Sequence, residues 1–445
     1  MNLMHALRVA ASKSQKNAGM ISLVGAGGKT TAMFQLARDF ISVQEPTVFL
    51  TATAHLGTWQ TSQADHHIVA NDINDLDNIP SDGIVLVTGE IENERTKPVN
   101  EVILNWLRAN TKERGIPLLV EADGSRQKFL KAPAAHEPPI PEFTDTVIVV
   151  AGLGTLGKPL TDESAHHAEI FSQLSGLPIN QPITPAALTH FLIHPRGGLK
   201  NIPTSARRVA LLNQADSPQL QSVGGNMARE LLDHFDSVIV GSLKDSHFQT
   251  FEHCAGIILA AGESTRFGSP KQLLDWKGKP FVRRIAETAL QAGLWPVEVV
   301  TGFHNAEIES ALSGLPVNIV HNPEYGQGQS TSIRAGVTAL PHKVGASVFL
   351  LADQPQIPVE VIRALVESHT LELQPILAPL VLEECRANPV LFDRVAFPDL
   401  LTLIGDVGGR AIFDKHRVEY LPWHDDILLF DVDKPEDYQR LKDME

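Results

Sequence analysis

The stretch LAAGESTRFGSPKQ (259–272) ends an apolar run and passes straight into small residues and two cations. It begins inside GIILAAG (256–262), a strand-sized segment closing on Ala260, Ala261 and Gly262, and Gly268 and Lys271 follow before the next apolar stretch. Small residues let the backbone approach a triphosphate closely, exposed amides can point at its oxygens, and Arg266 and Lys271 supply compact positive charge. The spacing is not the Walker form, because no Gly-Lys-Ser/Thr follows, and it is not GxGxxG, so a dinucleotide fold fits poorly. A strand that delivers such a loop at its carboxyl end belongs in an open α/β sheet, where ligands collect beyond the strand ends.

Outward from this loop, short Val/Ile/Leu-rich runs alternate with stretches of helical period, as parallel βαβ units require. The first series is ISLV (21–24), TVFLT (47–51), GIVLVTG (83–89), PLLVEAD (117–123), TVIVVAG (146–152), RVALLN (208–213) and SVIVGSL (237–243). The second is GIILAAG, VEVVTG (297–302), VNIVHN (317–322), SVFLLAD (347–353), PVLF (389–392) and ILLFDVD (427–433). The polar stretch KDSHFQTFEH (244–253) separates them. A chain of 445 residues exceeds one ordinary core. The expectation is therefore two α/β domains, 1–246 and 254–445, each a doubly wound, mostly parallel sheet.

A net charge of -15 argues against a nucleic-acid partner, since a phosphate backbone is held by clustered Lys and Arg. The two cysteines, Cys254 and Cys385, support neither a disulfide framework nor a zinc site. The apolar runs fall short of the roughly 20 residues of a membrane helix. The start, MNLMHALRVAASKSQK, reads as an amphipathic helix and not an export signal, so a cytoplasmic location is expected.

Two acids sit where such a sheet presents its ligand. Asp353 ends SVFLLAD and Asp433 ends ILLFDVD, and together they can hold a divalent metal, Mg2+, against triphosphate oxygens. Singly, Asp353 also fits a turn before Pro355, and Asp433 a cap for a helix starting near Pro435.

The first series carries its own loop, VGAGGKTT (24–31), between a strand and a helical run. Gly25, Gly27 and Gly28 give curvature, Lys29 can reach a phosphate, Thr30 is a candidate Mg2+ ligand and Thr31 a further nucleotide-binding candidate, ahead of a helix that begins AMFQLARDF. Walker spacing would put glycine where Leu23 stands, so this is a shortened, P-loop-like variant. Glu121 and Asp123, after the strand PLLVEAD, are candidates to orient metal or water, with Asp123 preferred for the metal. In NQAD (213–216), Asp216 is either a carboxylate that reads a guanine base or a turn residue. His66-His67 and His166-His167 read as ordinary polar residues, because neighbouring side chains point to different sides of a strand or helix. His55 and His136 remain candidates.

The ordered motifs LAAGESTRFGSPK, NPEYGQGQSTSIRAG, LADQP, NPVLF, GDVGGR and DVDKPED resemble the MobA/MocA nucleotidyltransferases, most closely the molybdenum cofactor cytidylyltransferases. That resemblance implies a Rossmann-like transferase moving CMP from CTP onto molybdopterin cofactor, with Mg2+ and release of pyrophosphate. Relatives that use GTP tend to carry LAGG where this chain has LAAG, which favours CTP. By the same resemblance Gly262, Arg266 and Lys271 hold the triphosphate, Ser330 and Ser332 lie near the nucleotide, and Asp353 and Asp433 are metal ligands. Asn388, Pro389, Asp406, Gly408 and Arg410 shape the acceptor side. The chain departs from the pattern at Ala387, where the family usually has glycine.

The first half, above all EADGSRQKFLKAPAAHEPPIP (121–141), resembles the YqeC family, accessory proteins associated with selenium-dependent molybdenum hydroxylases. This implies an NTP-binding module, taking ATP or GTP, that serves cofactor maturation, with a hydroxylase of the xanthine dehydrogenase type as a partner. Two other readings stay open at this point: a nucleotidyltransferase acting on a sugar or polyol phosphate, and a non-catalytic carrier of the mature cofactor.

Overall fold

The computed structural model describes residues 1–9, 19–43, 45–125, 127–263, 267, 269–382 and 385–444. The chain divides into two compact units, Met1–Phe251 and Glu252–Glu445.

Among the described residues, the first unit is built on a nine-stranded sheet. Across it run His247–Phe251, Ser237–Ser242, Arg207–Asn213, Thr146–Gly152, Met20–Gly25, Leu118–Glu121, Thr47–Ala52, Gly83–Thr88 and His66–Val69. All pairings are parallel except that of the first two. Central strands are buried on both faces, and Thr146–Gly152 is buried at every position, which is why they read as continuous apolar runs. The helix Lys29–Ser42 lays Ala32, Met33, Phe34, Leu36, Ala37 and Phe40 against one face at helical spacing. Within the stretch that reads as a separator, His247–Phe251 forms an edge strand that buries Phe248 and Thr250.

The second unit holds an eight-stranded mixed sheet, again among the described residues. Its order is Asn318–His321, Val297–Thr301, His253–Ala260, Val344–Leu351, Val390–Asp393, Ile376–Val381 and Cys385–Arg386, with Val418–Trp423 pairing in parallel with Ile376–Val381. The chain leaves His253–Ala260 toward one edge, then returns to lay Val344–Leu351 on its other side. The point where strand order reverses thus lies between these two strands, and a ligand site is expected at their carboxyl ends. Val282, Ile285, Ala286 and Ala289 of the helix Phe281–Gln291 cover the sheet there, while Phe281 packs with Trp276, Val432 and Leu441.

One expected strand is absent. ILLFDVD forms a short 3₁₀ turn, Asp426–Leu429, opened by the Asp425 carboxylate accepting the Ile427 N–H at 3.0 Å. Leu428 and Val432 anchor it in two separate apolar clusters, so single side chains hold the segment in place of a ladder. Asp433 therefore follows coil, not a strand. Among the described residues no helix is long and apolar enough to cross a membrane.

Candidate functional site

In the second unit, a cleft of about 530 Å3 opens at the predicted strand ends. Ala261, Gly262 and Lys271 line it from the loop, Ser332 from the helix Gln329–Ala339, and Asp353, Asp406 and Asp433 from three further segments. The two acids expected to converge do so on one nitrogen. Lys271 Nζ donates to Asp353 Oδ2 at 3.0 Å, Asp433 Oδ1 at 3.1 Å and the Val432 carbonyl at 2.9 Å. Asp433 is not the helix cap: Lys434 holds that position, and the Asp437 carboxylate accepts the N–H groups of Asp433 and Lys434. Burial pulls the Lys271 ammonium down, yet Asp353 and then Asp433 outweigh it and hold its pKa above the ordinary value. A third acid, Asp431, bonds to the Gln354 amide, and burial, with Asp353 and Asp433 adding to it, raises its carboxyl.

The loop that carries Lys271 is fixed by Gln272, whose Nε2 donates to the carbonyls of Gly262 at 2.8 Å and Ala260 at 3.4 Å. Ala260 is buried beneath the cleft. Arg266 and Gly268 lie outside the described residues. Ser332 Oγ accepts from the Asn322 amide at 3.0 Å, whereas Ser330 Oγ is fully buried and outside the cleft lining. On the acceptor side Asp406 lines the cleft and accepts the Gln329 N–H at 3.2 Å, and Gly408 abuts the Gln329 side chain. Asn388 and Pro389 form a separate group with Arg410, which reaches Asn388 Oδ1 at 3.3 Å outside that lining.

Among the described residues no cluster of three or more His, Cys, Asp or Glu side chains is placed to hold a metal ion. The donor set nevertheless fits Mg2+, which is commonly held by one or two carboxylates with the remaining positions filled by nucleotide phosphates and water.

In the first unit a cleft of about 1040 Å3 lies beyond the loop after Met20–Gly25, lined by Gly27, Gly28, Lys29, Thr30, Thr31 and Asp123 among others. The loop is held more tightly than a phosphate cradle formed from every amide would be. Gly25 N–H donates to Asp123 Oδ2 at 3.2 Å, Ala26 N–H to the Val150 carbonyl at 2.9 Å, and Gly27 N–H to the Lys128 carbonyl at 3.2 Å. The N–H groups left for an anion are those opening the helix Lys29–Ser42, after Gly28 at φ +131°. Lys29 is buried and donates to the Gly25 carbonyl at 2.7 Å, 3.7 Å from Glu121.

Here the residues expected to hold a metal are bonded to other groups of the protein. Thr30 Oγ1 donates to Glu121 Oε2 at 2.6 Å, while Asp123 is engaged by the ammonium of Lys131, which also bonds Glu137 Oε1 at 2.8 Å. Glu121 is thus the acid that meets Thr30 at the helix N-terminus, while Asp123 is held between the Gly25 N–H and the Lys131 ammonium. Burial raises the carboxyl pKa of both acids, against the pull of Lys29 on each.

Residues 21–169 match the YqeC protein family, and residues 256–420 match the MobA-like NTP transferase domain. The YqeC protein of Escherichia coli (strain K12) is 28% identical over 248 residues, covering 52% of this chain and 90% of that protein. Nicotine blue oxidoreductase of Paenarthrobacter nicotinovorans is 32% identical over 197 residues, 42% of this chain and 95% of the relative. Purine catabolism protein PucB of Bacillus subtilis (strain 168) is 31% identical over 205 residues, 42% of this chain and 95% of the relative. The chain belongs to the MobA-like NTP transferase family, with a YqeC domain ahead of the transferase domain.

Sequence reasoning passed over several residues of the YqeC domain. Lys131 lies in KAPAAHEPPIP, whose prolines read as a loop, yet it is the buried centre of an ion cluster. His166 and His167 both line the cleft, with ring centroids 3.9 Å apart. The alternation rule fails there because His167 takes the left-handed conformation, φ 60°, which turns its side chain to the same side. Asn213 of NQAD clamps the loop, donating to the Gly27 carbonyl at 2.7 Å and accepting the Leu243 N–H at 3.0 Å, while Asp216 lines the cleft.

In the transferase domain Gly328 (φ +110°) packs on the segment that carries Asp406. A Cβ there would stand 2.6 Å from the Cα and N of Asp406, both backbone atoms that cannot swing aside. Gly328→Ala is expected to destabilise the domain by about 1–3 kcal/mol and to weaken nucleotide binding, read by thermal melting with and without CTP.

Proposed function

We propose that the transferase domain transfers CMP from CTP to the phosphate of molybdopterin cofactor, releasing pyrophosphate, and that the YqeC domain binds ATP or GTP. The single observation that carries the reading is the meeting of Lys271, Asp353 and Asp433 in the cleft lined by Gly262, just beyond the strand His253–Ala260. In this reading Gly262 and Lys271 receive the triphosphate, and Asp353 with Asp433 holds Mg2+, which when bound neutralises charge on the phosphates. Asp406 and Gln329 border the face from which an acceptor phosphate oxygen attacks in line with the leaving pyrophosphate. No covalent enzyme intermediate is required. LAAG in place of LAGG favours CTP over GTP.

One relative's name denotes an oxidoreductase. A clasp of two carboxylates around one ammonium, at a cleft with small residues on its rim, suits phosphoryl chemistry better than hydride transfer, so transfer is the preferred reading. The deciding experiment gives the full chain each NTP with Mg2+ and molybdopterin cofactor, a sugar phosphate or a polyol phosphate, and identifies the product by mass. A cytidine dinucleotide of the pterin with equimolar pyrophosphate is expected. Turnover only with a sugar or polyol phosphate would replace the acceptor. Stoichiometric cofactor binding without turnover would make the chain a carrier for a molybdenum hydroxylase of the xanthine dehydrogenase type, the partner expected in either case.

A further inference from the structure

We infer that Lys271 is a built-in counter-ion that holds the metal position closed until nucleotide arrives, so that the divalent cation and the NTP enter the transferase cleft together. The inference rests on the reading of this cleft as an NTP and metal site.

Three acceptors from two places in the chain surround the Lys271 nitrogen at 2.9 to 3.1 Å: Asp353 Oδ2 from one, and the Val432 carbonyl and Asp433 Oδ1 from the other. An ammonium has three donors, so this set can use all of them. The lysine side chain is also the least exposed of the three, at 15% against 30% for Asp353 and 63% for Asp433. It occupies the space between the carboxylates, the space a bridging cation would need.

The partners differ in mobility. Asp353 lies in the hydrogen-bonded turn directly after the central strand Val344–Leu351, and the backbone at Asp433 is tied through its N–H to Asp437, whereas Lys271 projects from a short 3₁₀ turn on a flexible four-carbon stem. A cation arriving alone must displace a like charge from between the two carboxylates. A triphosphate at Gly262 changes this, because its oxygens offer the ammonium new partners while the cation takes over both carboxylates. Two carboxylates and one ammonium leave the clasp one charge short of neutral, and a divalent cation completes it once the lysine has moved to phosphate.

The test measures Mn2+ binding to the full chain without nucleotide, by electron paramagnetic resonance of free Mn2+, in the wild type, Lys271→Met, Asp353→Asn and the double variant. Lys271→Met is expected to bind Mn2+ about tenfold more tightly than wild type, the order set by one displaced charge-assisted pair. The gain must vanish in the double variant, which separates this site from any in the YqeC domain. In the wild type, CTP is expected to raise Mn2+ affinity by a similar factor. Equal Mn2+ affinity in wild type and Lys271→Met, or a gain that survives Asp353→Asn, overturns the inference. Should the methionine variant fail to fold, Lys271→Gln carries the same expectation, with melting curves establishing that it is folded. Absence of transfer to every acceptor would sink the proposed reaction and leave this comparison intact; unchanged Mn2+ affinity with normal turnover would do the reverse.

Discussion

Asp353→Asn is expected to lower pyrophosphate release from CTP by roughly 10²–10³-fold or more, the scale seen when one preorganised electrostatic contact to a reacting group is removed. The variant keeps the volume of the side chain and one acceptor oxygen, and removes the charge that meets Lys271. Its ion pair is partly open to solvent, so the cost in stability is small, about 0–1 kcal/mol. The diagnostic pattern is a large loss in kcat with a melting temperature near that of wild type. Turnover at the wild-type rate would remove Asp353 from the machinery.

The second large effect is on stability and belongs to the YqeC domain. Lys131→Met leaves Asp123 and Glu137 without the ammonium that joins them, and the lysine side chain has no solvent exposure. Breaking one side of such a buried pair costs about 3–5 kcal/mol, which lowers the melting temperature of a domain this size by on the order of 10 °C. Adding Asp123→Asn is expected to restore part of the loss, because it removes the charge left uncompensated. The pH dependence has a definite sign. Burial already raises the Asp123 carboxyl, and Lys131 is one of the cations opposing that rise. A carboxyl whose folded pKa lies above its unfolded value costs stability as pH rises through that interval and returns it on acidification. The deficit of Lys131→Met therefore shrinks as pH falls from neutrality into the acid range. Denaturation followed at several pH values reads this directly; a deficit that grows on acidification contradicts it.

Much of the architecture is visible in the chain because its central strands are buried on both faces. TVIVVAG and SVFLLAD are apolar almost throughout, and periodicity alone finds them. Other strands escape for physical reasons. ILAPLV contains Pro379 and VEYLPW contains Pro422, and proline argues against a strand interior, yet both segments pair over six residues. HFQTF shows only alternation, with one aromatic and one threonine facing inward. The opposite error is ILLFDVD, apolar enough for a strand but fixed by two separate anchors.

The site divides along similar lines. The convergence of Asp353 and Asp433 was legible because both follow segments that end at the ligand side of the unit, whatever the form of the second segment. That Lys271 would meet both carboxylates was not, since its place depends on Gln272 folding the loop back onto Gly262. In the YqeC domain a glycine-rich loop was legible, but not that Gly25, Ala26 and Gly27 spend their N–H groups on the protein itself. Long-range partners such as Val150 and Lys128 leave no local mark in a sequence.

The most direct measurement is the anomalous diffraction of Mn2+ in crystals of the full chain grown with CTP. The account predicts one strong peak in the transferase domain, bonded at about 2.0–2.2 Å to carboxylate oxygens of both Asp353 and Asp433, with Lys271 turned to the triphosphate. A nucleotide bound with its metal touching neither aspartate would contradict it.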